Sequence, residues 1–203
     1  GTGGATLNAS GAAGSPMVFT STTAPAVPTA ATSRTLTLTG TNTDANTLAA
    51  PVANAGAGLT SLAKTGIGTW VLTGASTYTG TTTVSEGVLQ VGSNGVGSLH
   101  NDSAVTVSGA GTLSGSGSMG STIIGNGGTL APGDGVPGDS NKTLTFTAVT
   151  LSSGSSTSLS ITSAQTLGGG DMSVILGRLA AGSYTGIEDA IGSNIESYNA
   201  GLG

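Results

Sequence analysis

No cysteine occurs among the 203 residues. A disulfide scaffold, a thiolate zinc site and a cysteine nucleophile are therefore excluded. Charge is nearly as scarce: 6% of residues are Asp, Glu, Lys or Arg, against about 25% in an ordinary globular domain. Four basic residues stand against nine acidic ones, too few to neutralise a phosphate backbone, so nucleic acid is not expected as a partner. Aromatics are 3% of the chain and there is one histidine. No run approaches the roughly 18 apolar residues of a membrane-spanning helix, and no amphipathic basic segment suits a lipid surface.

Small side chains fill the space that charge and aromatics leave. Gly alone accounts for 37 residues, and with Thr and Ser it makes up nearly half the chain. Such a composition might signal disorder, but disorder goes with low hydrophobicity. Here 36% of residues are apolar and the mean hydropathy is +0.23. The chain is expected to fold, and to do so from many short strands. It begins at Gly1 with no basic and apolar leader, as expected of a processed, exported segment whose signal peptide has been removed.

The apolar pattern has period two over most of the length, which is the period of strands. The clearest runs are 34–39 (Arg-Thr-Leu-Thr-Leu-Thr), 68–74, 88–91, 104–108, 143–147, 148–152 and 156–162, each bounded by Gly, Asn, Asp or Ser. Those boundary residues supply turn conformations, and alternating Leu, Val or Ile supply an inward face. Thr6-Leu7 and 17–20 read as shorter strands of opening coils, before a loop interrupted by Pro25 and Pro28. Residues 34–170 form the body.

A loose repetition runs through that body. Gly-Thr followed by Trp or Leu recurs at 68–70, 111–113 and 128–130, the last two 17 residues apart. Short strands at such spacing, with small residues at crowded corners, predict an all-β fold of the β-solenoid type, each coil stacked on the previous one. An antiparallel β-sandwich is the alternative, disfavoured because it wants longer strands and more aromatics. Residues 171–203 differ in character. Ile187, Ile191, Ile195 and Tyr198 lie on one face of a helix, predicting a short C-terminal cap or an assembly segment.

Residues 62–96 carry a denser pattern. Leu62, Lys64, Gly66, Gly68, Trp70, Leu72, Gly74, Tyr78, Gly80, Thr82, Val84, Gly87, Leu89 and Val91 occupy the spacing L-x-K-x-G-x-G-x-W-x-L-x-G-x-N-x-Y-x-G-x-T-x-V-x-x-G-x-L-x-V. This resembles the passenger-associated β-strand repeat of autotransporter-type surface proteins, with Ser76 where Asn is usual. A weaker similarity extends over about 34–165. The resemblance implies a right-handed parallel β-helix in the stalk of an exported protein, and it brings no catalytic residues. No run of roughly ten-residue strands with aromatic girdles, as in a membrane β-barrel, accompanies it, so self-translocation is not expected of these residues.

Candidate chemistry is thin. His100 is followed by Asp102, too close in sequence to orient it in a Ser-His-Asp relay, and no nucleophile elbow is present; a solvated turn is expected. Asp134 and Asp139 have only Lys142 nearby, which falls short of a glycosidase pair or a calcium shell. Glu188-Asp189 is the other acid pair. Trp70 and Tyr78 are expected to fill or flank a coil corner rather than stack on sugar. Thr-x-Thr runs at 35–39 and 143–147 resemble water-ordering arrays, but most coils lack a matched pair. Asn8, Asn101 and Asn141 open Asn-x-Ser/Thr triplets, as chance allows in such a composition. No catalytic, cofactor or metal residue is assigned and no cofactor is expected.

The expected function is thus structural: an exported β-solenoid subunit, outside the cell or on its surface, assembling with itself through heterologous end-to-end contacts into a filament or fibre. The alternative is an adhesin stalk segment that binds glycans, host matrix or other cell-surface components.

Overall fold

The computed structural model describes residues 4–24, 32–133 and 143–157, all within one unit, Gly1–Leu159. The predicted cap over 171–203, the acids Asp134, Asp139, Glu188 and Asp189, Lys142, Asn141 and Pro25 and Pro28 lie outside the described residues.

Among the described residues there are twelve strands and no helix. They are β1 (Ala5–Asn8), β2 (Val18–Phe19), β3 (Arg34–Thr39), β4 (Asn46–Leu48), β5 (Thr60–Lys64), β6 (Thr69–Leu72), β7 (Thr82–Val91), β8 (Val105–Gly115), β9 (Ser118–Ile124), β10 (Thr129–Pro132), β11 (Thr145–Leu151) and β12 (Ser156–Thr157).

Every strand-to-strand pairing is parallel. One ladder runs β1-β3-β5-β7-β8-β9-β11 and a second runs β2-β4-β6-β7-β8-β10-β12. β7 and β8 belong to both because each bends partway: β7 shifts register between Val84 and Glu86. A third, shorter row links Ala75, Ser98, Ser118 and Thr145. The chain therefore winds, returning to each ladder once per coil, with adjacent coils about 4.8 Å apart. This is a parallel β-solenoid. It overturns the sandwich alternative: the antiparallel contacts among the described residues are three isolated bridges, Ala55–Gly58, Ser93–Val96 and Gly115–Gly133.

The 17-residue repetition has a direct structural meaning. Thr112 pairs with Thr129 and Leu113 with Leu130, so that spacing is one complete coil. Trp70, Leu89, Leu113 and Leu130 form one inward column of the second ladder, and all four are buried. In the first ladder Leu62, Thr82, Val105 and Thr122 form one column and Leu38, Lys64, Val84, Val107 and Ile124 another. All nine are buried. The core is thus a narrow lumen to which each coil adds one residue per column, which is why small and aliphatic side chains dominate.

Candidate functional site

The densest chemistry in the described residues lies inside the lumen around residues 62–91, where buried polar groups interrupt the aliphatic columns. Lys64 ends β5 and is 0% exposed. Its position in the strand alternation dictates the direction: Leu62 and Lys64 both point inward, Ser61 and Ala63 outward. The Nζ donates to the main-chain oxygens of Thr65 (3.0 Å), Gly66 (2.6 Å) and Glu86 (2.9 Å). Burial lowers its pKa from 10.5 to about 8, an effect the Glu86 carboxylate partly opposes.

Tyr78 is also 0% exposed and starts a chain of hydroxyls. Its Oη lies 2.6 Å from Thr82 Oγ1, which lies 3.0 Å from Ser103 Oγ, and Ser103 donates to Gly80 O at 2.8 Å. Ser103 has one proton and gives it to a carbonyl, so Thr82 donates to Ser103 and Tyr78 donates to Thr82. Burial pushes the Tyr78 phenol up to about 12, the hydroxyls of Thr82 and Ser103 partly opposing the shift. Trp70 completes the group: its Nε1 donates to Thr39 O at 3.0 Å, one coil back. Both aromatics fill the interior, and neither presents a face to a sugar.

Two asparagines extend the pattern toward β1. Asn46 occupies the same column position as Trp70 and is fully buried. It accepts from Met17 N (2.8 Å) and donates to Asn42 O, Asp44 O and Thr69 O (3.0, 3.1 and 2.8 Å), tying three successive coils. Asn42 donates to Ala12 O and Ser15 O, both at 3.1 Å. Ser76, at the repeat's usual Asn position, is buried and accepts from Val52 N at 3.1 Å.

The remaining sequence candidates come together nowhere. His100 lies at a turn closed by Ser103 N to His100 O. Its Nδ1 accepts from Asp102 N at 3.2 Å, so that nitrogen carries no proton to offer the largely exposed Asp102 carboxylate 3.7 Å away. No group of three or more His, Cys, Asp or Glu that would hold a metal ion occurs among the described residues. No described helix is long and apolar enough to cross a membrane. On the outer side of the first ladder, Thr35 and Thr37 stand beside Ser61 and Ala63, so the threonine pair is not carried into the next coil. Sequence reasoning missed Lys64, Asn42, Asn46, Thr82 and Ser103 as interior polar residues. The period-two alternation places Lys64 inward, and that was the available signal.

The two shifted pKa values set a pH profile. Between about pH 8 and 10.5 the unfolded chain keeps the Lys64 proton and the folded chain does not, so stability rises with pH. Between 10.0 and about 12 the folded chain keeps the Tyr78 proton and the unfolded one does not, so stability falls. The thermal midpoint is expected to peak at about pH 10. Lys64→Met should flatten the rising limb and Tyr78→Phe the falling limb in a pH series of melting curves.

Residues 62–91 match the passenger-associated-transport-repeat family. The chain is 47% identical over 91 residues to the adhesin BmaC autotransporter of Brucella suis biovar 1 (strain 1330), a match covering 44% of this chain and 3% of the adhesin. It is 41% identical over 75 residues to an extracellular serine protease of Serratia marcescens, covering 37% of this chain and 7% of the protease. The chain thus matches only a small fraction of the length of either curated relative. No solved structure matches it.

Proposed function

We propose that this chain is a length of the β-solenoid stalk of an exported surface protein, mechanical rather than catalytic. The observation that carries the reading is the unbroken parallel ladder through β1, β3, β5, β7, β8, β9 and β11, with the 62–91 repeat built wholly into the scaffold. Among the described residues Lys64, Trp70, Tyr78, Thr82 and Ser103 are spent inside the lumen. A stack of this kind resists proteases because its backbone hydrogen bonds are shared between neighbouring coils.

Self-association end to end extends this reading. A coil of a parallel solenoid offers its neighbour rows of N–H and C=O groups, so a coil left uncovered at an end would template a further one. With few charges in the chain, little repulsion opposes such stacking. A contact of this heterologous type does not close, so it propagates. Negative-stain microscopy of the purified chain tests both points. Rods are expected, lengthening as concentration rises. Globules would overturn the stalk, and rods that never lengthen would overturn the filament.

The Brucella relative is named as an adhesin, which favours a second role for the rod's flank in holding glycans or host matrix. Binding on a glycan array or to immobilised matrix proteins would support it. Silence on both would remove it.

A further inference from the structure

In the inward column Leu38, Lys64, Val84, Val107, Ile124 four members are aliphatic and the fifth is an amine. Placing a cationic group in such a lumen is expensive unless each of its donors is met. A lysine ammonium has three donors, and Lys64 has three acceptors: Thr65 O and Gly66 O from the corner that follows β5, and Glu86 O from the bend of β7 one coil on. All three are main-chain oxygens. Glu86 contributes its carbonyl while the residue itself is exposed, so the arrangement is not an ion pair between side chains. Oxygens at 2.6–3.0 Å around a nitrogen make a small enclosure whose shape is set by backbone.

We propose that the corner shared by β5 and β7 is an amine-binding cage of main-chain carbonyls, filled by the chain's own Lys64 and open to a small primary amine once that side chain is shortened. The ligand class follows from the acceptors: a compact nitrogen carrying several N–H donors fits, and a nitrogen with none does not. In the intact chain the cage latches one coil to the next, because its oxygens come from both and one nitrogen satisfies them together. Lys64 is thereby a positioning residue for the repeat, acting on Glu86 and its bend.

The test is chemical rescue in the full chain. Lys64→Ala is expected to lower the thermal midpoint by about 5–10 °C. Methylamine hydrochloride at about pH 7, below the pKa of about 8 of the Lys64 amine in the cage, is expected to restore part of that loss saturably. Tetramethylammonium chloride at equal ionic strength is expected to restore none, and the unmodified chain should not distinguish the two salts. Lys64→Met, which fills the volume without an N–H, should lose stability and gain nothing from methylamine. Equal response to both salts, or no response in a folded Lys64→Ala chain, overturns the cage. Should that variant not fold, the unmodified chain decides: its Lys64 is expected to resist reductive methylation when folded and to react when unfolded. Equal reactivity in the two states overturns the proposal. Glu86→Gln keeps the carbonyl and is expected to melt within a degree or two of the parent. A loss as large as that of Lys64→Ala would overturn the cage in favour of a side-chain ion pair.

Discussion

Replacing Trp70 with Ala is expected to destabilise the described unit by about 3–5 kcal/mol, the range for removing a fully buried large aromatic. Trp70 is the bulkiest of the fully buried side chains and is stacked in its inward column between Asn46 on one coil and Leu89 on the next. Its removal leaves a cavity bounded by backbone ladders on either side, which cannot close without breaking register with their own neighbours. The carbonyl of Thr39 also loses its indole donor. In a solenoid each coil is stabilised chiefly by the coils it touches, so the damage should be local. Amide exchange should accelerate first in β4, β6 and β7 and last in β10. Trp70→Phe keeps most of the volume and loses the N–H, with an expected cost of about 1–2 kcal/mol. Urea unfolding of the two variants against the parent checks both values. A Trp70→Ala chain as stable as the parent would contradict the packing described.

Gly87→Ala is expected to cost roughly 2–5 kcal/mol, combining a left-handed backbone penalty with overpacking. Gly87 forms the bend of β7 at φ 65°, and an added methyl would run into the carbonyl oxygens of Gly66 and Gly68 on the preceding coil. Those coils have little room to yield: Gly68 O accepts from Val88 N, the first ladder bond after the bend. Gly14→Ala separates the two terms. Gly14 has φ 82° and nothing within 4 Å of an added methyl, so it should lose only about 1–2 kcal/mol. If the two variants melt together, the close approach at the corner contributes nothing.

Much of the strand content was legible in the sequence. β3 lies where the Arg-Thr-Leu-Thr-Leu-Thr run predicts it, from Arg34 to Thr39. The runs at 143–147 and 148–152 merge into the single strand β11, because the break between them is not a turn but a continuation paired to β9. β4, β5 and β9 were not picked out. β4 opens on Asn46 and β5 closes on Lys64, residue types that ordinarily mark turns and solvent. β9 is interrupted by Gly120, which reads as punctuation. The polar side chains of Asn46 in β4 and Lys64 in β5 are met by Met17, Thr69 and Glu86, which lie 29, 23 and 22 residues away. A local pattern carries no trace of such partners.

The class of structure follows from the amino-acid pattern. Period-two alternation with small residues at the boundaries makes short strands, and the scarcity of aromatics and charge suits a narrow lumen. The run from Leu62 to Val91 carries the spacing that matches the passenger-associated-transport-repeat family. How the coils close is set by contacts between them. The advance per coil ranges from 17 residues, between Leu113 and Leu130, to 31, between Ala5 and Leu36. Tertiary contacts also set which groups meet the inward polar side chains, where Lys64, Asn46 and the hydroxyl chain from Tyr78 to Gly80 hold corners together. The reason is physical: alternation is a property of one strand, whereas register and the fate of a buried donor depend on the coil above and the coil below.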